Sequence, residues 1–565
     1  FEDGWARTAS TFPVSPQMVT TIGLAEGTTS MTPAELMKAI LLAPVDLLWN
    51  GGIGTYVKSS RETDASVGDR ANDAIRVDGA DLRVRVVGEG GNLGLTQLGR
   101  IEAARAGVAV NTDAIDNSAG VDTSDHEVNI KVLLGPAVAS GELSTDERNE
   151  LLASMTDEVA QRVLRHNHAQ NVVLGNARAR EGSMLGAHQR FMRWLEERGI
   201  LDRSLEFLPS DSALERLRAA GEGLASPELS VLVAYAKLAL KEDVLASDVP
   251  DDPWCDEILA GYFPERLRER FADGLAAHPL RREIVTTRIA NDVVDRGGIT
   301  FVHRAVEETG ASVDQVVRAF LVAREVFDLP GFSAQVDELD SVVPTAVQAA
   351  LLLEIRRLLD RAVRWLVTSR RGSIDVGAEI ERFRDVVAAW APRMAEVLTG
   401  GERERLLADA DAYAEDGVPQ ELALRTAGLL ELYSLLDVVD IAHDTQEVVE
   451  DVVPLYFGLS EEFGIDVNLI KVSRLPREEL WDAMARAALR DDLYAVLAGL
   501  TRGVIAATPA GGDPHARIAA WLEANERTVL RARTSLRAIE EQTSPSIAAL
   551  SVALRTLRSL VQATG

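Results

Sequence analysis

The run Leu82-Arg83-Val84-Arg85-Val86-Val87 ends abruptly in Gly88-Glu89-Gly90-Gly91-Asn92-Leu93-Gly94, and a second run, Val45-Asp46-Leu47-Leu48-Trp49, ends in Asn50-Gly51-Gly52-Ile53-Gly54. Apolar and β-branched runs of this length predict strands, and the glycine clusters that stop them predict tight turns. After the second turn, Thr96 to Gly107 reads as helix and Val108-Ala109-Val110 returns as a short apolar run. Strand, helix and strand joined by connections this brief predict a right-handed βαβ unit and therefore a parallel sheet.

Beyond about Gly135 the glycine clusters thin out and helical punctuation takes over. Ser144-Thr145-Asp146-Glu147 is a capping box, with Leu151, Met155, Val159 and Val163 repeating every four residues behind it. Thr32-Pro33-Ala34-Glu35 and Ser226-Pro227-Glu228 each place a cap residue before a proline at the first helical position. Further helices are predicted over Val343 to Val367, Ile380 to Leu398 with a break at Pro392, Glu421 to Ile441, Arg477 to Leu500, Ala516 to Ala538 and Ile547 to Gln562. Loops are expected at Ser247 to Pro253, Asp328 to Phe332 and Ala507 to Pro514. The expected fold is thus a partial Rossmann-like α/β parallel sheet over residues 1–135, followed by a large all-α domain over 136–565 with a sub-boundary near 245–253.

Composition narrows the partners. The chain carries 59 Lys and Arg against 88 Asp and Glu, a formal charge of −29 that repels phosphate backbones and anionic headgroups, so neither nucleic acid nor membrane is expected. The most apolar helical stretch, Leu229 to Leu240, is broken by Lys237 and falls short of the roughly 20 residues that cross a bilayer. Cys255 is the single cysteine, which leaves no internal disulfide or thiolate-cluster zinc site and points to a cytoplasmic location. Phe1 to Ser10 lacks the basic start and apolar run of a secretion signal, and a chain opening on Phe1 is expected to be a fragment or processed product.

Three segments carry candidate chemistry. Gly88 to Gly94 misses the G-x-G-x-x-G fingerprint by one residue, since Leu93 stands where the third glycine belongs. Asp113 and Asp116, about 20 residues on, lie where a ribose-binding acid would be sought. Asn50 to Gly54 could likewise aim amides into a crevice at the carboxyl ends of parallel strands. For both segments a plain turn is the commoner reading, with glycine letting the backbone pass close to a neighbour. Asn117-Ser118-Ala119-Gly120-Val121-Asp122-Thr123-Ser124 leads into a helix expected from Asp125, either as a carboxylate-binding helix start or as a simple cap. His166 and His168, two apart, fall on different faces of a helix, so metal binding is unsupported.

Together these residues resemble a family. Leu47-Leu48-Trp49-Asn50-Gly51-Gly52-Ile53-Gly54-Thr55-Tyr56-Val57-Lys58, Gly88-Glu89-Gly90-Gly91-Asn92 and Asn117 to Glu127 are similar to the large bacterial NAD-dependent glutamate dehydrogenases. Pro227 to Lys237 and Thr286-Thr287-Arg288-Ile289-Ala290-Asn291-Asp292 through Val302 resemble the helical region of the same family. The resemblance implies oxidative deamination of L-glutamate to 2-oxoglutarate and ammonium, with NAD as cofactor and a homo-oligomeric assembly. It implies that Asn50, Gly51, Gly52, Gly90, Gly91, Asn92 and Asn117 border the cofactor, with Asn92 near the nicotinamide ribose. It implies that Ser124 grips the substrate side-chain carboxylate. Gly91 stands in place of the family's alanine, and Ser118 and Ala119 in place of alanine and glycine.

The family's phosphate-binding glycine fingerprint and its catalytic lysine and aspartate lie ahead of these motifs, and Phe1 to Pro44 is too short to hold them. On this reading the chain is the carboxyl-terminal portion of a longer polypeptide, carries no catalytic residue of its own, and does not turn over alone. Two rivals stand beside it: a non-catalytic helical scaffold or regulatory segment with a nucleotide-binding head, and a dehydrogenase of another amino acid.

Overall fold

The computed structural model describes residues 10–370, 372–476, 479–540 and 546–564. The chain divides into two compact units, Phe1–Asp295 and Arg296–Gly565.

In the first unit, β1 (Phe12–Pro13) and β2 (Ser30–Met31) pair antiparallel around helix α1 (Pro16–Ile22), and α2 (Pro33–Leu41) follows. The cap read at Thr32 is present: its hydroxyl accepts from the Glu35 amide at 3.2 Å while the Glu35 carboxylate accepts from the Thr32 amide at 2.8 Å. β3 (Leu47–Asn50) runs parallel to β6 (Val86–Glu89), with Leu47 opposite Val86 and Asn50 opposite Glu89. β4 (Val57–Lys58) and β5 (Val77–Asp78), separated in the chain by α3 (Asp64–Val67), form a second parallel pair. Helix α4 (Gln97–Arg105) starts where the Thr96 hydroxyl accepts from the Gly99 amide at 2.9 Å. Val57, Val77, Leu82, Val84, Val87, Leu95, Ala103, Val108 and Val110 close into one buried cluster, so the β-branched runs and the helix share a single small core.

The expected Rossmann-like sheet is not formed. The strands make three two-stranded sheets, and 71% of the chain is helical. Val108-Ala109-Val110 extends the β3–β6 pair by the single bridge Val86↔Ala109 rather than by a full strand. The physical reason is length and cover. Strand β3 is four residues long, and Leu47 and Trp49 on it are 53% and 61% exposed, so no layer packs on that face. A doubly wound sheet needs helices on both faces. Two parallel pairs and one helix do not supply them.

After Glu89 every regular element among the described residues is helical: α5 (Asp113–Asp116), α6 (Ser118–Ser140), α7 (Thr145–Ala153), α8 (Thr156–Arg178), α9 (Glu181–Glu197), α10 (Asp211–Ala220) and α11 (Ser226–Leu245) continue the unit. Ser144 and Glu147 form the predicted capping box of α7. The four-residue repeat behind it spans two helices, because α7 stops at Ala153 and α8 begins at Thr156. At α11 the cap is Ala225, whose amide donates to the Glu228 carboxylate at 2.6 Å. Ser226, read as the cap, instead donates its hydroxyl to Asn111 Oδ1 at 2.8 Å.

The regular elements among the described residues of the second unit are all helices. Helix Val313–Val326 is buried on nearly every side and packs against Thr345–Ser369 and Val376–Trp390. The break at Pro392 is a 3-10 turn over Ala391–Arg393. The loop expected at Asp328 to Phe332 is instead the start of helix Leu329–Asp337, capped by the Asp328 carboxylate on the Gly331 amide. Helix Leu480–Ala507 covers most of the predicted Arg477 to Leu500 stretch, and Arg477 itself lies outside the described residues, as do Phe1 to Ala9. No helix among the described residues is long and apolar enough to cross a membrane.

Candidate functional site: the glycine-loop rim

The carboxyl ends of β3 and β6 bring both glycine segments together. The Asn50 carbonyl accepts from the Gly90 amide at 2.8 Å and from the Gly91 amide at 3.1 Å. A Cβ on Gly91 would stand 2.5 Å from the Gly52 carbonyl oxygen, so this crossing requires glycine. Asn92, on the same loop, accepts from the Asn117 side-chain amide at 2.9 Å. Asn50, Gly51, Gly52, Gly90, Gly91, Asn92 and Asn117 therefore line one rim. The Asn50 side-chain nitrogen is buried there with no hydrogen-bond partner.

A buried ion network holds the rim from beneath. Glu89, fully buried at the end of β6, takes Arg100 Nε at 2.7 Å and Nη2 at 2.9 Å, and accepts from the Leu95 amide at 3.1 Å. Burial pushes the Glu89 carboxyl up while Arg100 pulls against it. Asp113 pairs with Arg100 at 3.1 Å and accepts from the Leu93 amide at 2.8 Å. Asp116 accepts from the Glu89 amide at 3.1 Å. Both acids at the ribose-acid spacing are thus turned inward, bracing the loop. The hydroxyl of Thr55 grips the other side of Leu93, donating to its carbonyl at 2.7 Å. Leu93 is held at φ +57°, a left-handed backbone that costs a residue bearing a Cβ on the order of 1 kcal/mol.

Ser124 lies apart from this rim. Helix α6 begins at Ser118 rather than Asp125, so Ser124 sits inside the helix, about 10 Å along the axis from Asn117. Its exposed hydroxyl donates to the Gly120 carbonyl at 3.2 Å. Helix α8 fixes the Asn117 corner: the Asn167 amide donates to the Ile115 carbonyl at 2.8 Å and to the Ser118 hydroxyl oxygen at 2.9 Å.

One cluster escaped the sequence reading. His166 Nδ1 meets Asp122 at 2.7 Å, and its Nε2 contacts the Arg288 guanidinium. His126 lies 1% exposed beside them, stacked on Tyr262 at 4.4 Å, with neither ring nitrogen hydrogen-bonded. Burial pulls His126 down to about 4, so it is neutral near pH 7. Asp122, His126 and His166 place ligand-type atoms within 4.8 Å of one another. The imidazole planes of His126 and His166 are 15° from parallel with centroids 5.9 Å apart, and Arg288 brings a positive charge to His166. That arrangement is a carboxylate–imidazole–guanidinium chain. The signal that could have found it is the i, i+4 spacing of Asp122 and His126 on α6. The His166–His168 spacing carries no such signal, since the two fall on different faces of the helix.

At the rim the exposed Asn92 side chain is paired with Asn117, while Arg100 below is committed to Glu89 and Asp113. The model described as "Bacterial NAD-glutamate dehydrogenase, catalytic domain" matches residues 3–177, and "Glutamate dehydrogenase, C-terminal" matches 221–559. The chain belongs to the bacterial NAD-glutamate dehydrogenase family. Among its relatives, the NAD-specific glutamate dehydrogenase of Mycobacterium tuberculosis is 44% identical over 99% of this chain. Those of Pseudomonas aeruginosa and Halomonas elongata are 43% and 41% identical over 99% and 98% of it. The chain spans about a third of these curated relatives' length, 35%, 34% and 34% respectively.

Proposed function

We propose that the chain supplies the nicotinamide-side border of an NAD-dependent glutamate dehydrogenase, which oxidatively deaminates L-glutamate to 2-oxoglutarate and ammonium. The observation that carries this reading is the Asn92–Asn117 amide pair standing on the Gly52–Gly91 crossing. NAD, when bound, supplies the hydride acceptor. Asn92 and Asn117 then offer amide groups to its ribose and carboxamide, and Asn50, Gly51, Gly52, Gly90 and Gly91 let it approach the backbone closely. Ser124, on the exposed face of α6, binds the substrate's side-chain carboxylate. The lysine and aspartate that handle the amino group come from outside this chain, so the 565-residue segment alone does not turn over. The intact protein works as a homo-oligomer.

The test is NADH formation from L-glutamate by the full-length protein, wild type beside Asn92→Ala. A KM for NAD⁺ raised about tenfold or more, with KM for glutamate little changed, supports the assignment. Equal kinetics in the two proteins reject it.

A further inference from the structure

Leu93 combines a left-handed backbone with an exposed apolar side chain at the rim. It takes φ +57° although it carries a Cβ, and its side chain is 64% exposed. Glycine would adopt this backbone freely, and an exposed leucine adds almost nothing to the core. Yet the loop is clamped on both sides of it, by Asp113 on its amide at 2.8 Å and Thr55 on its carbonyl at 2.7 Å. Asp113 is itself pinned to the buried Arg100–Glu89 pair. The molecule thus commits a buried ion network to holding one apolar side chain out of the core, directly after the Asn92 that meets Asn117. Strain kept in place by its surroundings points to function.

We propose that Leu93 is a ligand-contacting residue whose side chain forms the apolar wall against which the nicotinamide ring of the dinucleotide lies. This rests on the dehydrogenase reading of the rim and deepens it. An exposed leucine can cover a flat heteroaromatic ring, and of the cofactor's two such rings, adenine and nicotinamide, the second carries the carboxamide that the neighbouring amides of Asn92 and Asn117 can take on this reading of the rim.

The two effects of replacing Leu93 have opposite signs, which makes the proposal testable in the full-length protein. Leu93→Gly relieves the backbone strain and removes the wall; Leu93→Ala removes the wall and keeps the strain. NADH binding followed by its fluorescence is expected to weaken about tenfold in both variants, and the thermal midpoint is expected to hold or rise in Leu93→Gly. Unchanged NADH binding in both variants overturns the proposal. A thermal midpoint that falls by several degrees in both variants also overturns it, because the side chain is then buried under polypeptide rather than left for a ligand. Asn92→Ala separates the failures: if it weakens NADH binding and Leu93→Gly does not, the Leu93 wall alone is wrong. If neither does, the dinucleotide reading of the rim is wrong as well.

Discussion

Arg100, one turn into helix α4, closes a two-pronged ion pair on Glu89, the last residue of β6, and both side chains are 5% or less exposed. The pair joins helix to strand under the glycine rim and also orders Asp113 and the Leu95 amide. Removing one partner strands the other charge in the core. Arg100→Met is expected to destabilise the protein by about 3–5 kcal/mol, and the double variant with Glu89→Leu to recover a good part of that loss. Chemical denaturation of the four proteins of the cycle checks it; an additive double variant contradicts a coupled pair.

The Asn92–Asn117 hydrogen bond is exposed, so it contributes little to folding, on the order of 0.5 kcal/mol. Asn117→Ala is expected to leave the denaturation midpoint nearly unmoved while weakening NADH binding about tenfold or more. A variant that loses stability and binding in step would show that the corner is structural.

Ser124→Ala tests the substrate end. The hydroxyl donates only to a carbonyl of its own helix and is solvent-exposed, so folding is expected to change by less than about 0.5 kcal/mol. KM for glutamate is expected to rise severalfold, with the effect on an apolar amino acid much smaller, since only glutamate offers Ser124 a side-chain carboxylate. Equal losses for both substrates contradict the assignment.

His126 gives the first unit an acid-sensitive element. Its folded pKa is pulled to about 4 from 6.5 by burial, so on acidification the unfolded chain binds the proton first. The stability this neutral imidazole contributes is complete above pH 6.5 and is lost as pH falls toward 4. The full loss is on the order of 3 kcal/mol. Asp122, Asp125, His166, Arg162 and Tyr262 surround it and are present in both wild type and His126→Leu. The difference in stability between wild type and His126→Leu is expected to be flat above pH 6.5 and to shift toward the variant below it. A pH-independent difference contradicts a buried neutral histidine.

Local signals were the legible part. The caps at Thr32 and Ser144 are set by neighbouring residues and appear where the residues place them, whereas the strands run one residue further than expected at Asn50 and two further at Glu89, so the turns begin at Gly51 and Gly90. Helix-forming periodicity likewise foretold Thr345–Ser369 and Ile547–Thr564 to within a few residues. The sheet was not legible, because strand character in Val108-Ala109-Val110 says nothing about how many partners it finds. The structure gives it one bridge. Ser124 was placed before a helix because Ser, Asn and Gly favour caps, yet packing of α6 against α8 carries the helix back to Ser118. The Asp122–His166–Arg288 chain joins residues 44 and 122 positions apart, a distance that no local pattern spans.

The central claim is that the rim binds the nicotinamide end of a dinucleotide for glutamate oxidation. Its most direct measurement is L-glutamate-dependent reduction of NAD⁺ by the full-length protein, with Asn92→Ala and Asn117→Ala measured alongside and folding verified in each. The wild type is expected to be active and both variants to show a KM for NAD⁺ raised about tenfold or more, with KM for glutamate nearly constant. Wild-type activity with unaltered NAD⁺ kinetics in both variants would contradict the rim as the cofactor's border, and no glutamate oxidation in the full-length protein would contradict the function itself.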